Sequence, residues 1–496
     1  MLLLSILITL TLGFSIVTAI STKFSILEKI GAAFLVGIGA QVFWMMLCDF
    51  VGIPITLVSV YIGSLLIWFG SWAYIITIRK TSVQEALWPY NPFENKAWSK
   101  INLPWMTIMA FVAYILWAVT SKCLFWPNFE FDSIAGYDLM AKVLAEEGTF
   151  NNSLFMSNGQ SIFNTSHRVI YPPITAGSFA YAYMSGAALP KIMTSLFYSS
   201  LLIYFYAAMR RTGATHLNSA FTLLLMMLIP EMTSHAALSQ TNIPQAAYTA
   251  TGIISLYVWA KDKEGNAHFL WLSMILLAWN SIVRTENFIF NFVAGLLVLA
   301  YTLRNFNKKN IIRLVIFGIS LLLPFVLWTL YLKINGLKPD VPAPMALDIS
   351  YDADKFKQWW GYLWGFKDYP GGVVLNQNFY GLTSYLYFFL LFASSIYVGI
   401  RYYMNRGKEL VKSNKMAYHH LILIYITLIP FIVYAIFYYF IDYNWDSIRF
   451  VMMYSFKRGI FGVMTLFCFF IGTNALVRLA FDWIGIFMYG KNPVDN

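Results

Sequence analysis

The sequence predicts an all-α polytopic membrane protein with about thirteen transmembrane helices. Three observations lead there. First, 59% of the 496 residues are hydrophobic and 11% are charged, where a typical soluble domain carries about 25% charge; the mean hydropathy is +0.62. Second, the apolar runs are roughly 17–25 residues long and do not alternate as barrel strands do, so helices are the spanning element. Third, the basic residues fall in alternate loops between those runs, the mark of a fixed membrane orientation. The aromatic content of 18% suits Trp and Tyr belts at the two interfaces.

Three spans come first, near 2–20, 32–50 and 55–78, and a Pro- and Trp-rich linker runs from Arg79 to Leu103, closing an N-terminal membrane segment, 1–103. The opening run MLLLSILITLTLGFSIVTAI has no basic stretch before it and reads as a first transmembrane helix, not a cleaved signal. A second unit, 104–334, opens with a span near 104–126 and an acidic polar loop, 127–171. A short interfacial or re-entrant piece is expected near 173–185. Spans follow near 188–209, 215–231, 245–260, 267–283, 287–303 and 312–334. A second polar loop, 335–384, mixes Trp, Tyr, Gly and Asp, and the C-terminal part, 385–496, carries spans near 385–401, 418–441 and 459–482. No internal repeat is visible, and no matching pair of Gly/Pro-interrupted spans, which argues against an inverted-repeat transporter.

With thirteen spans, Lys23/Lys29, Arg79/Lys80/Lys96/Lys100, Arg210/Arg211, Arg304/Lys308/Lys309/Arg313 and Arg401/Arg406/Lys408/Lys412/Lys415 all land on one side, which is then the cytoplasm. Both polar loops and Asp442–Arg449 face the other side, with the N-terminus outside and the C-terminus inside. The same scatter argues against nucleic acid as the partner of the +11 net charge, because the cations sit in short loops between spans. Cys48, Cys123 and Cys468 lie in or beside apolar runs without metal-ligand spacing and read as core or lipid-facing. His235 reads as a solvated loop residue and His419-His420 as a cytoplasmic-edge pair. With no HExxH and no Cys/His array, no zinc site is expected.

Ionisable groups beside a bilayer are costly unless they are solvated or functional. The loop holding Glu130, Asp132, Asp138, Glu146, Glu147 and His167 is therefore where chemistry is expected. From Asp132 onward the stretch has helical period. Ile134, Leu139, Val143 and Leu144 face the membrane or the core, while Lys142, Glu146 and Glu147 are solvated, as in an amphipathic helix along the outer surface. In the plainer reading Asp132 is no more than the N-cap of that helix.

FDSIAGYDLMAK resembles the first-outer-loop motif of the GT-C membrane glycosyltransferases, the superfamily of the protein O-mannosyltransferases and the lipid A aminoarabinose transferase. One bacterial branch has an acidic residue after an aromatic, a second aromatic, and then a Lys or Ala-Lys pair. Phe131-Asp132, Tyr137 and Ala141-Lys142 fill those places. His167 and Tyr171-Pro172-Pro173 stand where the branch has a His and then Tyr-Pro before the next membrane segment. Arg284-Thr285-Glu286 resembles its basic-x-acidic triplet, Asn242-Ile243-Pro244 occupies the place of Asp-hydrophobic-Pro, and Ser447-Ile448-Arg449 resembles a late Ser-x-x-Arg-like motif. The resemblance covers about 120–460. The first three helices and 335–384 match no motif, and Asn242 departs from the acidic residue of the pattern.

The resemblance implies a GT-C-like helical fold and an inverting transfer of a sugar from a polyprenyl-phosphate donor. The acceptor is a cell-envelope glycan, glycolipid or protein on the outer, periplasmic face of a bacterial-type inner membrane. Such a reaction needs a carboxylate to take the acceptor's proton, a role worth about 10²–10⁴-fold, and cations to meet the charge on the departing phosphate. The resemblance makes Asp132 the expected base. Arg284 and Arg449 are the expected phosphate contacts, with His167 or Lys142 in support, and Glu286, Asp138, Tyr137, Tyr171 and Asn242 are supporting residues. A Mg or Mn ion held by Asp132, Glu286 or their neighbours is compatible with this, since a few carboxylates and a substrate phosphate suffice.

Each residue also has a plainer reading. Arg284 and Glu286 could be an ordinary interfacial ion pair, and Arg449 an interface cation paired with Asp442 or Asp446. Lys457 and Arg458 read as helix-end residues that could also meet phosphate. The loop 335–384 is either an interfacial aromatic loop or an acceptor platform on which sugar faces stack. For the whole chain, the competing readings are a transporter or flippase of lipid-linked glycans and a polymerase or ligase. A transporter should keep ionisable or unwound residues near mid-membrane, whereas the residues singled out here lie at one face. Ligases and polymerases depend on Arg-rich outer loops, and the long outer loops here are more acidic than basic.

Overall fold

Nine helices among the described residues are long and apolar enough to cross a membrane: Leu2–Ile20, Ile26–Phe50, Leu57–Ile78, Leu103–Phe125, Ile192–Arg211, Thr285–Arg304, Lys308–Ile334, Thr383–Met404 and Lys415–Phe440. Counting the pair Ile448–Gly459 and Phe461–Thr473, bent by 54°, as one broken span makes ten. The structure is a computed structural model, and it describes all residues except 88–102, 131, 155–170, 262–266, 338–344, 367, 370, 371, 405–409, 444–446 and 490–496. The chain is a multi-pass helical membrane protein.

The nine helices coincide with nine of the thirteen expected spans. The other four, near 215–231, 245–260, 267–283 and 459–482, take a different form. They become His216–Met227, Asn242–Lys261, Ala267–Asn280, and Phe461–Thr473 followed by Ala475–Tyr489. For two of these helices the reason is where they sit. Asn242–Lys261 is buried at every residue up to Ala260, and Phe461–Thr473 is buried throughout. A helix wrapped by other helices touches little lipid, so it need be neither uniformly apolar nor full length. The piece expected at the interface near 173–185 is likewise internal: helix Pro173–Met184 is buried from Pro173 to Ala182.

Local sequence explains how the bundle is joined. Ser25 and Glu28 form a reciprocal capping box, with the Glu28 amide donating to Ser25 Oγ at 3.3 Å and the Ser25 amide donating to Glu28 Oε2 at 2.7 Å. Helix Ile26–Phe50 therefore starts sharply and folds back on Leu2–Ile20. The two backbones meet at Gly13, where a Cβ would stand 1.7 Å from the Ala33 carbonyl oxygen, the small-residue contact that lets helices approach in a membrane. Buried polar side chains add links: Thr9 Oγ1 donates to Gln41 Oε1 at 2.7 Å, and Gln41 Nε2 donates to Ser64 Oγ at 3.0 Å.

The basic segments meet at one end of the bundle. Arg211 Nη2 pairs with Glu28 Oε2 at 2.6 Å, Arg79 donates to the Ile20 carbonyl at 2.5 Å, and the Arg304 guanidinium lies over the Tyr418 ring at 5.6 Å. Helix Asn242–Lys261 runs from this end to the other, where the acidic loop and the segment around Arg284 lie. At that other end the second polar loop is tied down by a three-residue antiparallel ladder, Met345–Leu347 with Ile441–Tyr443. Its helix, Ala353–Trp364, is capped by Asp352 and anchored by Trp359 Nε1 donating to the Ala435 carbonyl at 3.0 Å.

Candidate functional site

Asp132 stands at the head of a turn of π-helix, Ser133–Tyr137, that leads into helix Asp138–Glu147. Its carboxylate makes no capping bond. Instead Asp132 Oδ2 meets Arg458 Nη1 at 3.1 Å. Arg458 comes from the far end of the sequence, where a second π-helical turn, Val451–Phe456, runs into the short helix Lys457–Gly459. Such turns displace side chains from the regular helical rows and recur at functional sites. The Arg458 Nε donates to the Tyr454 carbonyl at 2.8 Å, which aims the guanidinium across to Asp132.

From this pair a hydrogen-bonded chain runs inward. Arg458 Nη1 reaches Gln240 Oε1 at 3.5 Å, and Gln240 Oε1 also accepts from Asn242 Nδ2 at 2.9 Å. Asn242 Oδ1 accepts from Arg284 Nη1 at 2.9 Å, and the same nitrogen reaches Gln245 Oε1 at 3.1 Å. Arg284 Nη2 closes the chain on Glu286 Oε1 at 2.5 Å. Gln245 Nε2 turns back to the Gly459 carbonyl at 3.3 Å, so the inner and outer halves share a frame. Gly459 has room for nothing larger, since a Cβ there would stand 1.8 Å from Tyr434 Oη.

The two ion pairs differ in exposure. The Asp132 and Arg458 side chains are 34% and 24% exposed, whereas Glu286 and Arg284 are 13% and 15% exposed. Burial opposes the charge on Arg284, yet the Glu286 carboxylate outweighs it and holds the guanidinium well above its ordinary value. The outer pair is thus part-exposed, while the inner pair is more deeply buried and held in place.

Several groups border this chain. The Tyr137 and Tyr171 rings lie 5.1 Å apart, and burial pushes both hydroxyls up, so both stay neutral. Lys457 Nζ pairs with Glu231 Oε1 at 2.6 Å and lies 4.2 Å above the Phe379 ring. His235 Nδ1 lies 2.8 Å from the Glu231 carbonyl oxygen, and burial lowers this imidazole to about 4. It is neutral at physiological pH, and it is buried where the sequence suggested a solvated loop residue.

Asp132, Asn242, Arg284 and Glu286, expected from the sequence to act together, do join one network. Asp138 points elsewhere: it accepts from the Tyr183 hydroxyl at 2.5 Å and from Asn128 Nδ2 at 3.1 Å. It fastens its helix to Pro173–Met184. Lys142 is exposed on the opposite face of that helix from Met140, Val143 and Leu144. Arg449, expected as a phosphate contact, is also exposed, on the short helix Ile448–Phe450 that Ser447 caps, and the cation beside Asp132 is Arg458. His167 and Phe131 lie outside the described residues. The sequence marked Arg458 and Lys457 as helix-end residues in reach of phosphate. Gln240 and Gln245, being neutral, gave no signal at all.

Asp132 and Glu286 each face an arginine, and a guanidinium repels a divalent ion, so this arrangement does not fit a cation held by those two carboxylates. Among the described residues no group of three or more His, Cys, Asp or Glu side chains comes together. What the site offers is a part-exposed carboxylate beside two arginines. Compared with family models, curated proteins and solved structures, the chain matches none.

Proposed function

We propose that the chain is an inverting glycosyltransferase of the GT-C type, moving a sugar from a polyprenyl-phosphate donor to a cell-envelope glycan, glycolipid or protein. In this reading the reaction takes place on the outer face of a bacterial-type inner membrane. The observation that carries the reading is the Asp132–Arg458 pair, part-exposed at the mouth of a polar chain that brings in a second arginine, Arg284. Asp132 accepts the proton of the acceptor hydroxyl as that oxygen bonds to the anomeric carbon. The bond from the anomeric carbon to the phosphate oxygen breaks, and its electron pair stays on the lipid phosphate. Arg458 receives the charge that develops there, and Arg284, held by Glu286, adds a fixed positive field behind it. One displacement at the anomeric carbon inverts it.

The test is lipid and glycan analysis of cells whose chromosomal copy carries Asp132→Asn. Loss of a general base lowers turnover by about 10²–10⁴-fold, so a lipid-linked sugar should accumulate while one envelope product disappears. Unchanged product at normal protein level would end the catalytic assignment of Asp132.

A further inference from the structure

At the end of the bundle remote from Asp132, cations converge that the proposed chemistry does not use. Lys261 closes helix Asn242–Lys261, and its Nζ donates to the Thr212 carbonyl at 2.7 Å. Arg478, from helix Ala475–Tyr489, donates through Nη2 to the same carbonyl at 2.8 Å. His419 hydrogen-bonds the Lys261 backbone, and Lys415 lies close enough to act on both Lys261 and His419. Two cations sharing one neutral carbonyl repel each other and leave donors to spare. The Arg478 Nε is buried with no acceptor, and so is Nδ2 of Asn474, which begins the same helix. Among the described residues, Asp482 is the carboxylate that acts on this group, and it acts on Arg478.

The surroundings place the cluster at a membrane surface. Helix Ala475–Tyr489 carries Arg478 on one side and exposes Leu479, Trp483 and Ile484, of which Trp483 is 71% exposed. An apolar stripe with a Trp beside a basic face is how a helix lies at headgroup depth. Helix Asn242–Lys261 has 20 residues, so at 1.5 Å per residue its ends are roughly 30 Å apart, the thickness of a bilayer core. Asn242 at one end belongs to the candidate active site and Lys261 at the other belongs to this cluster.

We infer that Lys261, Arg478, Lys415 and the Asn474 amide form a binding site for the phosphate headgroup of an anionic lipid, on the membrane face opposite the candidate active site. The spare donors suit the oxygens of a phosphate ester, and the exposed apolar stripe of Ala475–Tyr489 gives the acyl chains a place to lie. The inference stands whether or not the chain transfers sugars.

The test is native mass spectrometry of the purified full-length chain released from nanodiscs of phosphatidylcholine doped with phosphatidylglycerol. Wild type should retain phosphatidylglycerol in preference to phosphatidylcholine of identical chains. Lys261→Gln with Arg478→Gln should weaken that retention about tenfold or more, given two cations removed from a charged headgroup. Lys261→Arg should keep it. No headgroup preference in the wild type overturns the proposal, and this arm needs no variant to fold. Inorganic phosphate displacing phosphatidylglycerol and protecting the protein against heat equally well would overturn the lipid as the source of the phosphate. A double variant that melts like wild type yet keeps full preference would place the lipid elsewhere and overturn the assignment to these residues.

Discussion

Substituting Glu286 and Asp132 separately by their amides should give different results in stability, because the two ion pairs of one chain differ in burial. Glu286→Gln keeps the shape but leaves the Arg284 guanidinium, 15% exposed, without its 2.5 Å counter-ion. Removing one partner of a buried pair costs about 3–5 kcal/mol. The Asn242 and Gln245 oxygens still solvate Arg284, at 2.9 and 3.1 Å, which puts the expected loss near the lower bound, about 3 kcal/mol. Asp132→Asn removes a pair whose members are 34% and 24% exposed, and pairs so open to water are worth about 0–1 kcal/mol. Denaturant unfolding in a mild detergent, followed by Trp fluorescence, should therefore separate the variants clearly, with Glu286→Gln unfolding early and Asp132→Asn close to wild type. Adding Arg284→Gln to Glu286→Gln should recover part of the loss, since no uncompensated charge remains. Equal shifts in the two single variants, or no shift in Glu286→Gln, would refute the division into a fixed inner pair and an open outer one.

Three further outcomes are expected. Arg458→Gln should reduce turnover of the lipid-phosphate donor far more than it reduces stability, with Arg458→Lys intermediate because it keeps the charge but loses the guanidinium fork; full activity in Arg458→Gln would remove this residue from the phosphate. Gly459→Ala should lower expression and melting temperature, because its Cβ would stand 1.8 Å from Tyr434 Oη, with overpacking costing about 1–3 kcal/mol or more; Tyr434→Phe, which deletes that oxygen, should partly restore it. His235 lies among Glu231, Lys457 and Arg458, lowered to about 4 against an ordinary 6.5. The unfolded chain binds the proton that the folded chain refuses, so this residue makes stability rise with pH from about 4 to 6.5 and level off above. In His235→Asn the slope of an unfolding-versus-pH profile across that window should be shallower than in wild type, and an identical slope would count against a neutral buried imidazole.

Much of the architecture is written in composition and periodicity. Nine spans could be read directly, because each is apolar along its length and long enough to cross. Asp132, Arg284 and Glu286 could be singled out for the converse reason, that charge beside a bilayer is costly and therefore conspicuous. The four remaining segments are not among the nine helices long and apolar enough to cross, and for Asn242–Lys261 the reason is that a helix shielded by other helices escapes the constraint that lipid imposes. Asn242–Lys261 holds Gln245, Thr249, Thr251 and Ser255 in its interior for that reason.

Tertiary structure alone decided which cation meets the carboxylate. Arg449 and Arg458 lie in the same segment and have the same chemistry, yet Arg449 is exposed and Arg458 meets Asp132. Gln240 and Gln245 are silent in sequence because a neutral amide gains its role only from the partners that folding brings to it. Sequence therefore determined where charge and lipid must be, and the fold determined which charges meet.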